Sequence, residues 1–112
     1  MSSEQLAHYR QQVRSIHIDD KLIVYIAQIV QNTRNNKDLY LGASPRASLA
    51  ILAAAKGFAA MQARDFVTPE DIIYMTKPVM RHRIMLSPEK EMEGSNTDAV
   101  IDEIVRAVEV PR

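Results

Sequence analysis

The stretch 44–63 constrains the fold more than any other part of the chain. Ser44 offers a hydroxyl to the orphan backbone donors of a helix start, and Pro45 takes the first helical position, where a missing N–H costs nothing. Leu49, Ile51, Leu52, Phe58 and Met61 then alternate with alanine at 50, 53, 54, 55, 59 and 60, so the helix is apolar nearly all round, with Lys56 the interruption. A helix without a polar face has to be surrounded. Its place is the middle of a bundle, where the alanines let neighbours approach closely.

The neighbours can be read from their own start signals. Ser2 or Ser3 caps a first amphipathic helix reaching about Val13, with Leu6, Tyr9 and Val13 on one side. Asp19 caps a second, in which Leu22, Ile26, Ile29, Val30 and Thr33 form a buried stripe that stops near Arg34, before the turn-forming Asn35 and Asn36. Thr68, Pro69 and Asp71 start a fourth helix, Asp71 also favouring the positive end of the dipole, with Ile72, Ile73, Met75 and Met80 as its core contacts. Residues 87–96 read as a loop rich in Pro, Ser, Gly and charge. Thr97 then caps a last helix with Val100, Ile101, Ile104, Val105 and Val108 inward, ended by Pro111. Segments 16–18 and 84–86 alternate as strands do and are expected to pair into a minor two-strand ribbon. The fold class is therefore all-α, a small helical bundle of four to five helices, and 112 residues suffice for one domain and not for two.

Several chemistries are disfavoured. Fourteen basic residues balance fourteen acidic ones, giving no long-range positive field for nucleic acid or an anionic membrane. No stretch approaches the roughly 18 apolar residues of a membrane span, and no signal peptide precedes the first helix, so a cytoplasmic location is expected. There is no cysteine, and His8, His17 and His82 lie too far apart for a local ligand pair, so no metal site is expected. A phosphate-wrapping P-loop needs glycines five positions apart followed by Lys and Ser or Thr. Gly42, Gly57 and Gly94 have no such spacing. Segment 99–103, AVIDE, imitates the acidic end of a metal-binding strand but continues with helical periodicity, and 42–46, GASPR, lacks the final glycine of a nucleophile elbow. No catalytic residue is assigned, and the chain alone is not expected to be an enzyme.

Two basic features remain. Arg81 and Arg83 flank His82 just after the fourth helix, where they complement its dipole or meet an acidic neighbour. Arg46 is odder. A cation in the first turn faces the positive end of the macrodipole and costs about 0.3–1 kcal/mol if exposed. The cost vanishes if an anion is present, because helix-end donors and a forked guanidinium suit a phosphate. Arg46 is either such a phosphate contact or a surface arginine paired with a carboxylate or hydrogen-bonded to the 39–42 loop.

Thr33 and Arg34, LGASPRA at 41–47, AAAKGFAAMQARDFVTPEDI at 53–72, VMRHRI at 79–84 and Glu93 with Gly94 resemble, in order and spacing, the C-terminal lid domain of MoxR-family AAA+ ATPases, relatives of magnesium-chelatase ATPase subunits. The resemblance covers most of the chain from about residue 13. It implies a helical lid, residues 1–112, cut from a longer ATPase whose P-loop core lies upstream. Arg46 matches the second-sensor arginine, which contacts the phosphates of ATP, bound with magnesium in the full-length parent. The implied function is to couple ATP binding and hydrolysis to conformational change in chaperone-like remodelling of client proteins. The implied partners are the core domain of the same polypeptide, a homo-oligomeric ring and von Willebrand A-domain proteins. Gly is usual in the family where Ala63 stands, and a small residue where Phe58 stands, departures that touch packing. Residues 64–72 also resemble the junction into the last helix of a histone fold, a dimerising and DNA-binding module. The zero net charge and a central helix of about 20 residues, short for that fold, speak against it.

Overall fold

The computed structural model describes residues 2–111. They form six helices and one small ribbon: α1 (Ser3–Ser15), α2 (Asp20–Arg34), β1 (Leu39–Leu41), α3 (Arg46–Met61), α4 (Pro69–Met80), β2 (Met85–Leu86), α5 (Pro88–Met92) and α6 (Thr97–Ala107). The all-α reading holds. Four helix starts are closed by the side chains that the sequence nominates or by their immediate neighbours. Ser2 and Gln5 form a capping box for α1, Asp19 caps α2 by accepting from the Lys21 amide at 3.0 Å, and Thr68 with Asp71 forms a second box for α4. For α6 the cap is Asn96, accepting from the Ala99 amide at 2.9 Å, and Thr97 is the first helical residue.

The core lies between α2, α3, α4 and α6. Each fourth residue of α3, namely Ala47, Ile51, Ala55 and Ala59, is fully buried, and this narrow stripe of mostly small side chains lets α4 lie against it. Ile26 and Ile29 of α2, Ile72 and Met80 of α4, and Val100, Ile101 and Ile104 of α6 close over it. The helix is thus less enclosed than its composition suggests, for Leu49 and Met61 are 67% and 74% exposed. In α4, Ile73 also points outward. α1 touches α3 but contributes no buried residue, with Leu6 exposed and Tyr9 and Val13 half-buried.

The ribbon has different partners from those expected. Its second strand falls in 84–86, but it pairs antiparallel with β1, Leu39 opposite Leu86, whereas 16–18 supplies a single parallel bridge from His17 to Phe66. Alternation in so short a segment identifies an extended chain without identifying its neighbour. Segment 87–96 likewise contains the single-turn α5, started by Ser87 accepting from the Lys90 amide and Pro88 in the first turn.

The turn from α3 to α4 is built with unusual care. Ala63 adopts φ +57°, the Ala63 amide donates to Ala60 O and the Arg64 amide to Ala59 O, both at 3.0 Å, which is a Schellman closure with alanine in the left-handed position. The family's usual glycine there answers a backbone requirement, so this departure concerns conformation as well as packing. Arg64 then forks onto buried Asp71, Nη1 to Oδ2 at 2.7 Å and Nη2 to Oδ1 at 2.6 Å, while Asp71 Oδ2 also accepts from the Thr68 amide. Burial pushes the Asp71 carboxyl up, but the Arg64 and Thr68 hydrogen bonds outweigh it and hold the group below its ordinary value.

Candidate functional site

The site grows out of a contact between the end of α2 and the start of α3. Thr33, 2% exposed in the last turn of α2, donates its hydroxyl to Val30 O at 2.7 Å and accepts from the Ala43 amide at 3.0 Å. Gly42 lies so close that a β-carbon on it would fall 2.5 Å from Thr33 O and 2.6 Å from Arg34 Cα, both backbone atoms. Ala43 and Ala47 are buried, so the 42–45 segment is seated on α2 before α3 begins.

The first turn of α3 differs from the sequence reading. Ser44 makes no side-chain cap; its carbonyl accepts from the Ala47 amide at 2.9 Å, and the Pro45 carbonyl accepts from the Ser48 amide at 3.1 Å. Pro45 has helical torsions of −56° and −24° and stands as the cap, so the turn closes tightly through backbone bonds and the serine hydroxyl is not needed. Those two amides are therefore engaged. What the helix presents outward is the guanidinium of Arg46 together with the positive end of the dipole. Arg46 is exposed, and among the described residues it has no ion pair and no hydrogen bond, to a carboxylate or to the 39–42 segment.

Of the other two basic candidates, Arg81 is engaged within the fold, whereas Arg83 is exposed and makes no side-chain ion pair among the described residues. Arg81 forks onto Asp98 of α6, Nε to Oδ1 at 2.9 Å and Nη2 to Oδ2 at 3.0 Å, and Lys77 reaches Asp102 at 3.0 Å, so α4 and α6 are laced by two exposed bridges. The Asp98 carboxyl is lowered by its bonds from Arg81. Lys90 lies between Asp38 and Glu93, tying α5 to the residue before β1. Glu89, Glu91 and Glu93 are exposed. A cleft of about 510 Å³ between α1 and the end of α3 is lined by Gln12, Ser15, Ala60 and Arg64. Ala60 lies fourteen residues from Arg46, roughly 21 Å along the helix, so that cleft is not part of the Arg46 site.

Residues 31–104 match the family of AAA lid domains. The chain belongs to that family, in its MoxR branch. The lid is 39% identical over 111 residues to the YeaC protein of Bacillus subtilis, covering 99% of this chain and 35% of that protein. It is 34% identical over 100 residues to the chaperone MoxR1 of Mycobacterium tuberculosis, covering 81% of the chain and 26% of the relative. The crystal structure of a protein assigned to the ATPases, from Cytophaga hutchinsonii, superposes with a TM-score of 0.85 at 32% identity, over 92% of the lid and 34% of that protein. The lid thus spans about a third or less of the relatives it matches. The family match includes Thr33, Gly42, Arg46, Arg64 and Asp71, whereas α1 and most of α2 precede it. No helix of the described residues is long and apolar enough to cross a membrane.

Sequence reasoning named Arg46 but not the residues that hold its loop. The available signal was Thr33 itself, since a polar side chain within a buried stripe needs partners. The pairing of Arg64 with Asp71 was also missed, because Asp71 in the first turn of a helix is already explained by capping.

Proposed function

We propose that this lid senses nucleotide for an ATPase core carried by the same polypeptide, with Arg46 as the second-sensor arginine. The observation that carries the reading is Arg46 itself: an exposed guanidinium at the first residue of α3, unengaged among the described residues, where a cation gains only if an anion arrives. ATP and its magnesium would be held by the core, and Arg46 would donate to a phosphate oxygen. Making or breaking that charge-assisted contact shifts the lid between positions by the difference in contact energy between the two. In a homo-oligomeric ring such movement would drive chaperone-like remodelling of client proteins in the cytoplasm, with von Willebrand A-domain proteins as partners. MoxR1, named a chaperone, supports the chaperone-like part of this reading.

The test is Arg46→Ala in the full-length protein. ATP hydrolysis should fall sharply, since a charge-assisted donor near the transferring phosphoryl group is lost. In the lid alone the same change should leave stability within about 0.5 kcal/mol of the parent or raise it slightly, because a cation leaves the positive end of a helix. Wild-type hydrolysis by the full-length variant would refute the second-sensor assignment.

A further inference from the structure

Because no hydrogen bond or ion pair holds the Arg46 side chain among the described residues, the point from which its guanidinium reaches outward is set by where α3 begins. That point is fixed by α2. The Thr33 hydroxyl proton is committed to Val30 O, which turns an oxygen lone pair toward the Ala43 amide and anchors the loop three residues before Arg46. On the other side of the same turn, the φ of Gly42 is not in the left-handed region. The glycine is there for space, since any β-carbon would push the loop off the Thr33 and Arg34 backbone, which no side-chain rotation can relieve. Pro45, with its ring-fixed φ, passes this placement directly into the first turn. We propose that Thr33 and Gly42 are positioning residues for Arg46, a role that rests on the second-sensor reading above. Thr33 aims the arginine through the Ala43 amide, and Gly42 does so by allowing the close approach. Both belong to the machinery by which α2 and α3 present one charge, although neither touches nucleotide.

The experiment is steady-state ATP hydrolysis, with affinity for a fluorescent ATP analogue, by the full-length protein. Thr33→Val, Thr33→Ser and Gly42→Ala are each measured with Arg46 present and in an Arg46→Ala background. Valine keeps the shape of threonine and removes both hydrogen bonds; serine keeps the hydroxyl. With Arg46 present, Thr33→Val and Gly42→Ala should lower kcat on the order of tenfold or more, as expected for a reacting-site contact displaced by about an ångström, and Thr33→Ser should restore it. In the Arg46→Ala background the same two substitutions should change neither residual turnover nor affinity, because there is no guanidinium left to aim. A purely structural role predicts the opposite, an equal proportional loss in both backgrounds, and that result overturns the proposal. So does a wild-type kcat for both variants. Circular dichroism checks that each variant is folded at the assay temperature; if Gly42→Ala, the more destabilising of the two, does not fold, Thr33→Val carries the same test. If Arg46→Ala alone leaves hydrolysis and affinity unchanged, the second-sensor reading fails and takes this one with it. If Arg46→Ala impairs hydrolysis while Thr33→Val and Gly42→Ala do not, only the positioning role is lost.

Discussion

Exchanging glycine and alanine at three positions should change the stability of this lid with signs that composition alone would not supply. At Gly57, inside α3, an added β-carbon meets nothing within 4 Å. Gly57→Ala should therefore gain the ordinary helix-interior advantage of alanine, about 0.5–1 kcal/mol. At Gly42 the added carbon would lie 2.5 Å from Thr33 O, where ordinary contact begins at 3.4 Å. The loop has to retreat, which costs about 1–3 kcal/mol as overpacking and a similar amount if the buried Ala43 amide loses Thr33. Gly42→Ala should thus lose about 2–6 kcal/mol, a large part of the stability of a domain this size. Ala63 is the mirror case. Its φ of +57° is strained for an L side chain, and Ala63→Gly should gain about 0.5–1 kcal/mol after the extra freedom of glycine in the unfolded chain is deducted. Urea denaturation followed by circular dichroism at constant pH reads all three, and thermal midpoints should move by roughly 4 °C per kcal/mol. If Gly42→Ala is neutral, the close approach between the loop and α2 is not real. If Gly57→Ala and Gly42→Ala destabilise equally, the argument from space fails altogether.

Two further predictions use the same assay. Ile51 is fully buried while Leu49, two residues earlier on the same apolar helix, is 67% exposed; Ile51→Ala should cost about 2–5 kcal/mol and Leu49→Ala less than about 0.5. The pairing of Arg64 with Asp71 should make Arg64→Met pH-dependent. A carboxyl held below its ordinary value contributes stability that is present above the usual carboxylate range and lost as pH falls through the lower folded value. Without Arg64, burial is less opposed, so the deficit of Arg64→Met should be largest at neutral pH and narrow in acid, once Asp71 is protonated in both proteins. A deficit that does not vary between pH 7 and pH 3 would mean that Arg64 acts through Phe66, whose ring centroid lies 5.8 Å from the guanidinium carbon and whose carbonyl accepts from Nη1 at 3.3 Å.

What was legible in the sequence and what was not divide along a physical line. Helix starts could be read because a cap is a local transaction. Asp19 and Thr68 satisfy amides two or three residues away, and no knowledge of the rest of the fold is needed to see it. The buried stripe of α2 could be read for the same reason, since period alone places Leu22, Ile26, Ile29 and Thr33 on one face. Where the outcome depends on a partner distant in sequence, local reading fails. β2 was placed correctly but given the wrong neighbour, because nothing in three residues encodes which extended segment lies beside them. Ser44 carried a good local cap signal and lost to a long-range one. Once Ala43 is fastened to Thr33 ten residues upstream, Pro45 is already helical and backbone carbonyls close the turn. That same contact separates the two kinds of information at the functional site. The identity of Arg46 is a local anomaly, a cation at the wrong end of a helix, and it is visible from sequence. The aim of Arg46 is a tertiary property, held by a hydroxyl on one helix and by a missing β-carbon on the loop that follows β1. A substitution that leaves the arginine untouched can therefore change where α3 presents it, and the sequence around Arg46 would show no sign of it.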